Sequence, residues 1–330
     1  MRIASPRRVV ATVTLGVLPL VLAAACGGSS SSTGASSTNK LEKTTIVVGG
    51  TPTEANAPLY LAIDHGFFKK HGLNVKLQIV QSSTTLVPSM LHGTIDIAAG
   101  QIAGLIAAQA AGAGQFKVLG SGLELTPGVN EILALKSSKI TSVADLKGKT
   151  IAVNAPTGNG PLLIDSALAT ANLKPNAIKM VPVPFPAMGT ALAGNRVDAV
   201  YGTQPYVQQM EQQQGAQPVV DLNQGAAQGL LIAGFVATSQ WVKKYPNTAK
   251  AFIAAITEGS KLADTNLAAV QQTLEKNLKI SASVVDVMAT GTFPTSVDLV
   301  KLQQVEQLMV RYNQLKKPFD VSSMLVGSSG

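Results

Sequence analysis

The side chains in this chain best suited to chemistry are neutral, and most of them follow short apolar runs. The loop Thr51 to Ala57, with Asn56, comes after Ile46-Val47-Val48. Ser82, Ser83 and Thr84 form a hydroxyl-rich turn, and Gly100 and Gln101 close the run Ile97-Ala98-Ala99. Asn154, Thr157, Gly158 and Asn159 follow Ile151-Ala152-Val153, and Thr203 and Gln204 follow Ala199-Val200-Tyr201. Amides and hydroxyls fix a small molecule by hydrogen bonds, and glycine lets the backbone approach it closely. The same residues also build ordinary turns, so each has both readings. Glu124 can face the same space, where it favours a ligand amine or ring N–H; a solvent-facing carboxylate is the alternative. Tyr60, Tyr201 and Phe235 can stack on a ring or pack in a core.

Catalytic patterns are not found. His65, His71 and His92 lack the spacing of metal ligands, and there is neither a Gly-x-Ser-x-Gly elbow nor a phosphate-cradling glycine loop. No catalytic residue, metal or cofactor is assigned.

The elements that must hold these residues come as two similar halves. Each reads strand, helix, strand, helix, strand. Pro58 opens the first helix of one half and Pro161 that of the other, where a missing N–H costs nothing. The segment Met90 to Asp96 corresponds to Leu192 to Asp198. It sets Gly93 against Asn195, the two residue types that best end a helix in the left-handed conformation. This alternation predicts an α/β fold of two lobes, each a mainly parallel sheet flanked by helices. The expected bounds are 44–135 plus 233–330 for one lobe and 136–232 for the other. Helices follow Pro246 and run from Ser296 to Leu315.

In open α/β sheets a ligand sits beyond the carboxyl ends of the strands, where helix N-termini offer free N–H groups. The neutral loops above are placed there, in a cleft between the lobes.

The N-terminus has a different character. Arg2, Arg7 and Arg8 precede an apolar stretch, Val9 to Ala25, the order of a secretory signal. The stretch ends Leu22-Ala23-Ala24-Ala25-Cys26, with the chain's only cysteine. This resembles the lipobox of bacterial lipoproteins, with Leu22 one position early, and implies lipidation at Cys26. Arg7-Arg8 leaves general and twin-arginine export both open. Residues 26–43 then form a tether, Gly/Ser-rich through most of its length. The expected location is the outer face of the cell membrane, by lipid anchor. The formal charge of +8 includes those three arginines, and the rest is dispersed; no basic stripe with aromatics suggests nucleic acid.

Four segments carry a family resemblance: Ala57 to Gln78, Gly93 to Gly100, Ser142 to Val153 and Asn195 to Pro205. In that order they resemble the nitrate, sulfonate, taurine and thiamine-precursor binding proteins of ABC importers. The resemblance implies a type II periplasmic-binding-protein fold, closing on a small molecule and delivering it to an ABC permease and its ATPase. It also implies a monomer. The crossings between lobes are expected near Leu133 to Lys136 and Leu231 to Val236. An organic sulfonate such as taurine ranks first as ligand, a pyrimidine-like precursor second, nitrate or bicarbonate third. A ligand-sensing lipoprotein for a membrane receptor, or an enzyme on the same fold, are the alternatives.

Overall fold

The computed structural model describes residues 40–327. The signal, Cys26 and most of the tether lie outside the described residues. The first half runs β1 (Thr45–Gly50), α1 (Ala57–Asp64), α2 (Phe67–Lys70), β2 (Asn74–Ile79), α3 (Leu86–Leu91), β3 (Ile97–Gln101), α4 (Ile102–Ala110) and β4 (Phe116–Glu124). The second runs β5 (Asn130–Leu135), β6 (Thr150–Val153), α5 (Asn159–Thr170), β7 (Lys179–Pro182), α6 (Phe185–Ala193), β8 (Ala199–Thr203), α7 (Tyr206–Gln214) and β9 (Ala216–Asp221). Next come β10 (Leu231–Thr238), α8 (Ser239–Lys244), α9 (Pro246–Thr265), α10 (Leu267–Leu278), α11 (Ala282–Val285) and α12 (Leu299–Arg311).

Two five-stranded sheets result, in the orders β2-β1-β3-β10-β4 and β7-β6-β8-β5-β9. The two orders are equivalent. In each, three strands of a β-α-β-α-β unit pair in parallel, and two further strands add antiparallel. The sheets are therefore mixed, where the alternation of elements suggested mainly parallel ones. β10 and β5 arrive from the crossings and insert between β3 and β4 and between β8 and β9, which helix–strand alternation does not reveal.

The internal repeat is physical as well as sequential. Gly93 and Asn195 both have positive φ, 72° and 52°. After α3, Gly93 N–H reaches Met90 O and Thr94 N–H reaches Ser89 O; after α6, Asn195 N–H reaches Leu192 O and Arg196 N–H reaches Ala191 O. Both ends are Schellman caps, which need a residue that tolerates the left-handed region. The aspartates three residues later act alike. Asp96 Oδ2 accepts from Val47 N–H at 2.8 Å and Asp198 Oδ2 from Thr150 N–H at 2.7 Å, each clamping the start of its half's first strand.

The crossings lie earlier than expected. Leu133 pairs with Val200 inside the second sheet, so β5 belongs there rather than with residues 44–129. Leu231 to Val236 sit within β10 of the first sheet. The chain crosses at 125–129 and 222–230. The apolar runs that suggested crossings are buried central strands. The crossings fall on the turn-formers Thr126-Pro127-Gly128 and Asn223 to Gly229. The helices after β10 return to the first sheet: α9 packs on α1, α2 and β4, and α12 on α4 and β10.

Candidate ligand-binding cleft

The carboxyl ends of β1, β3 and β8 and the starts of α5 and α6 converge on a cavity enclosing about 460 Å³ of empty space, its open mouth included. From the first sheet come Thr51, Thr53, Asn56, Gly100 and Gln101, with Ile232 to Phe235 of β10 and Gly122 of β4. From the second come Asn159, Phe185, Tyr201 and Thr203. A Cβ on Gly122 would stand 3.0 Å from the Ala233 backbone, so glycine is what lets β4 and β10 lie together here.

Hydrogen bonds join the two sheets directly across this space. Gln101 Oε1 accepts from Asn159 N–H at 3.0 Å, and Gln101 Nε2 donates to Asn154 Oδ1 at 3.3 Å. Asn159 Nδ2 donates to Ile232 O at 2.6 Å. That carbonyl is available because the β10–β4 register shifts between Leu231 and Ala233, leaving Ile232 out of the ladder. Glu54 N–H reaches Gln204 O at 3.1 Å, and Ser82 Oγ reaches Asn154 O at 3.4 Å. The chain is in a closed arrangement.

The first helical turn of α5 is thus spent on closure. The helix begins at Asn159, two residues before Pro161, which still occupies the first turn. Gly158, which precedes it, has φ 106° and ψ −150°. A Cβ there would lie 2.5 Å from Gln101 Oε1.

Two aromatic rings line the cavity from the second sheet's side. Phe185 stands 6.0 Å from Tyr201 and stacks on Tyr206 at 5.6 Å. Phe235 also lines it from β10, but its ring packs against Phe252 at 6.0 Å. The Tyr201 hydroxyl accepts from Asn130 Nδ2 at 2.8 Å, which turns the ring's edge and face into place. Among the described residues no Lys, Arg, His, Asp or Glu lines this cavity, and Tyr201 is its one titratable group. Burial raises the Tyr201 pKa, so the phenol stays neutral.

The expected site residues divide accordingly. Thr51, Asn56, Gly100, Gln101, Asn159, Tyr201 and Thr203 line the cavity. Asn154, Gly158 and Gln204 stand behind it and act through the cross-sheet contacts above. Ser83, Thr84 and Thr157 line a neighbouring space instead; Ser82 lines neither, and its hydroxyl bonds to Thr84 and across to Asn154 O. Ala57 is fully buried at the start of α1. Glu124 does not line the cavity: Lys301 Nζ, on α12, holds its carboxylate at 3.0 Å. Of the candidate rings, Tyr201 and Phe235 line the space, while Tyr60 is buried in the core. The sequence reading named Thr53 only as part of its loop and missed Gly122, Phe185 and the Ile232 to Gly234 stretch. Phe185 had a signal, since it opens a helix straight after a strand, as Asn159 does.

Three carboxyls are buried outside this lining. Burial pushes Glu54 up to about 8, against the bond from Gly291 N–H. Burial, then Glu211 and Asp221, pushes Glu131 up to about 7. Burial pushes Asp165 up to about 6, opposed by the Gln314 amide. Raised values mean the folded chain holds protons that the unfolded chain has already lost. Their stabilisation is complete below about pH 4 and is lost as pH rises to 8. Each unit of difference is about 1.4 kcal/mol, and one kcal/mol moves the melting temperature of such a domain by about 2–4 °C. Between pH 5.5 and 8.5 the three shifts together amount to about 6 kcal/mol, so the melting temperature is expected to fall by roughly 12–25 °C. Glu54→Gln should flatten that fall and melt higher than the parent at pH 8.5. Scanning fluorimetry across pH checks this, and an equal slope in both proteins contradicts it.

Comparison with known proteins agrees with this architecture. Residues 54–266 match the family model described as NMT1/THI5 like. A Haemophilus influenzae protein named for thiamine biosynthesis is 28% identical over 163 residues, 49% of this chain and 50% of that one. The formylaminopyrimidine-binding protein of Halalkalibacterium halodurans is 25% identical over 163 residues, 49% and 48% of the two chains. The matched region thus spans about half the length of these curated relatives. Among solved structures, the alkanesulfonate-binding protein SsuA of Xanthomonas axonopodis pv. citri, bound to MOPS, superposes with a TM-score of 0.73. It is 20% identical and covers 87% of this chain and 99% of its own. The desulfurization enzyme DSZB shares the fold as well, with a TM-score of 0.64 at 19% identity over 87% and 97% of the chains. The periplasmic-binding-protein fold is therefore common to binders and at least one enzyme.

Proposed function

The chain belongs to the NMT1/THI5-like family, and from that membership we propose that it is the ligand-binding component of an ABC importer. Its cargo in this reading is a small, uncharged, planar heteroaromatic molecule of the pyrimidine kind. The observation that carries this is a cavity flanked by rings, lined by amides and hydroxyls without a charged side chain, and closed by hydrogen bonds from both sheets. The Phe185 and Tyr201 rings suit a flat π system. Gln101, Asn56 and Thr203 can satisfy the donors and acceptors at its edge. A sulfonate or nitrate would enter a site with no cation to meet it, at a desolvation cost. The ligand order read from sequence is therefore reversed, with pyrimidines ahead of sulfonates.

Binding would work by differential affinity. The ligand contacts both lobes only when they are closed, so it shifts the population toward that form. A permease and ATPase would read the closed form, and lipidation at Cys26 would hold the chain, as a monomer, at the outer membrane face. A binder is favoured over a catalyst because Tyr201, the cavity's one titratable group, is held neutral.

A thermal-shift panel tests this. At about 100 times its dissociation constant, a ligand adds about 2.7 kcal/mol. 4-Aminopyrimidine is expected to raise the melting temperature by several degrees, and taurine and nitrate to leave it within a degree. Stabilisation by taurine or nitrate alone contradicts the reading.

A further inference from the structure

A second space adjoins the first and is larger, about 890 Å³ with its mouth included. The two share Gly100 and Gln101. Its walls are apolar: Leu86 and Val87 of α3, Leu105 and Ala108 of α4, Ala111 just after it, and Ala155 from the second lobe. Hydroxyls stand only at Ser83, Thr84 and Thr157, and no charged side chain lines it among the described residues.

We propose that the cleft takes a two-part ligand. A flat, uncharged ring occupies the inner cavity and an apolar substituent extends into this chamber, with Gln101 at the junction selecting what passes. The proposal rests on the pyrimidine reading above and adds the substituent.

Gln101 is built to act as a movable partition. Asn159 N–H can only donate, so it fixes Oε1 of Gln101 on its side. The amide then turns its NH₂ to Asn154 Oδ1. That leaves Asn154 Nδ2 buried with no partner, on a residue only 2% exposed. The Gln101–Asn154 contact is also the longer of the pair, at 3.3 Å against 3.0 Å. Displacing it gives up a long bond that already strands a donor, so the Gln101 side chain can swing while the backbone stays closed. A hydrocarbon substituent placed here leaves water for a wall of Leu, Val and Ala. Burying one methylene strengthens binding about fourfold.

The test is calorimetric titration of the full-length chain in detergent with 4-aminopyrimidine and its 5-methyl, 5-propyl and 5-benzyl derivatives. The expected result is saturable binding of the unsubstituted ring and at least tenfold tighter binding of the propyl compound. Ala108→Phe fills the chamber and should erase that gain without changing affinity for the unsubstituted ring. Ala111→Phe, at an exposed position, does the same where the first variant fails to fold. Binding of the bare ring with no gain from propyl, or a gain that survives both substitutions, overturns the two-part ligand and leaves the pyrimidine reading standing. Failure of every pyrimidine to bind overturns both.

Discussion

Asp96→Ala is expected to lower the melting temperature by roughly 10 °C. The Asp96 carboxylate is 6% exposed. It accepts from Lys43 Nζ at 2.6 Å, from Trp241 Nε1 at 2.7 Å and from Val47 N–H at 2.8 Å. One side chain thus ties the segment leading into β1, β1 itself and α8 to the turn before β3. Its removal strands an indole donor and a backbone donor away from water. Truncating one partner of a buried charged network costs about 3–5 kcal/mol. For a domain of this size each kcal/mol is worth about 2–4 °C. Asp198 is the control, because it holds the equivalent position in the other half but, among the described residues, its carboxylate accepts from Thr150 N–H alone. Asp198→Ala should cost no more than about a third as much. Thermal unfolding of both variants decides, and equal losses would show that the shared strand clamp, rather than the added partners of Asp96, carries the energy.

Gly158→Ala is expected to weaken ligand binding by up to about tenfold. Two penalties apply, and they can be separated. The backbone conformation at Gly158 is one that only glycine holds without strain of about 1–3 kcal/mol, in the open and closed forms alike. The new Cβ would also stand 2.5 Å from Gln101 Oε1, which belongs to the opposite lobe. That second penalty exists only on closure; Gln101 relieves it by swinging away, which gives up its bond from Asn159 N–H, and each 1.4 kcal/mol lost costs tenfold in affinity. Gly148→Ala supplies the comparison: φ is 79° there, with no atom within 4 Å of the added carbon. It should lower the melting temperature and leave the affinity for 4-aminopyrimidine unchanged. If Gly158→Ala bound as tightly as its parent, the closed contact at Gln101 would have no part in binding.

Much of the architecture could be read from local signals, because those signals are local in cause. The glycine or asparagine after a helix and the aspartate three residues on recur in both halves, and each performs the same bond in each. Strand-end loops rich in Asn, Gln, Thr and Gly pointed to half of the cavity wall for the same reason. The part that could not be read comes from β10. Its residues 232–235 line the cavity because a strand from beyond the second crossing inserts between β3 and β4, with a register shift that frees the Ile232 carbonyl. No periodicity in the sequence encodes that insertion. Glu124 misled for a related reason: its loop ends near the cleft, but Lys301, 177 residues further on, decides where the carboxylate points. The runs around Leu133 and Leu231 looked like crossings because a strand buried on both faces and an apolar connector have the same composition.

The account stands most directly on where a ligand sits. A crystal structure of the chain grown with 4-aminopyrimidine is predicted to show the ring between Phe185, Tyr201 and Phe235, with Asn159 N–H still on Gln101 Oε1 and no cation beside it. A ring bound outside the inner cavity, or a cavity still empty at saturating ligand, would contradict the account.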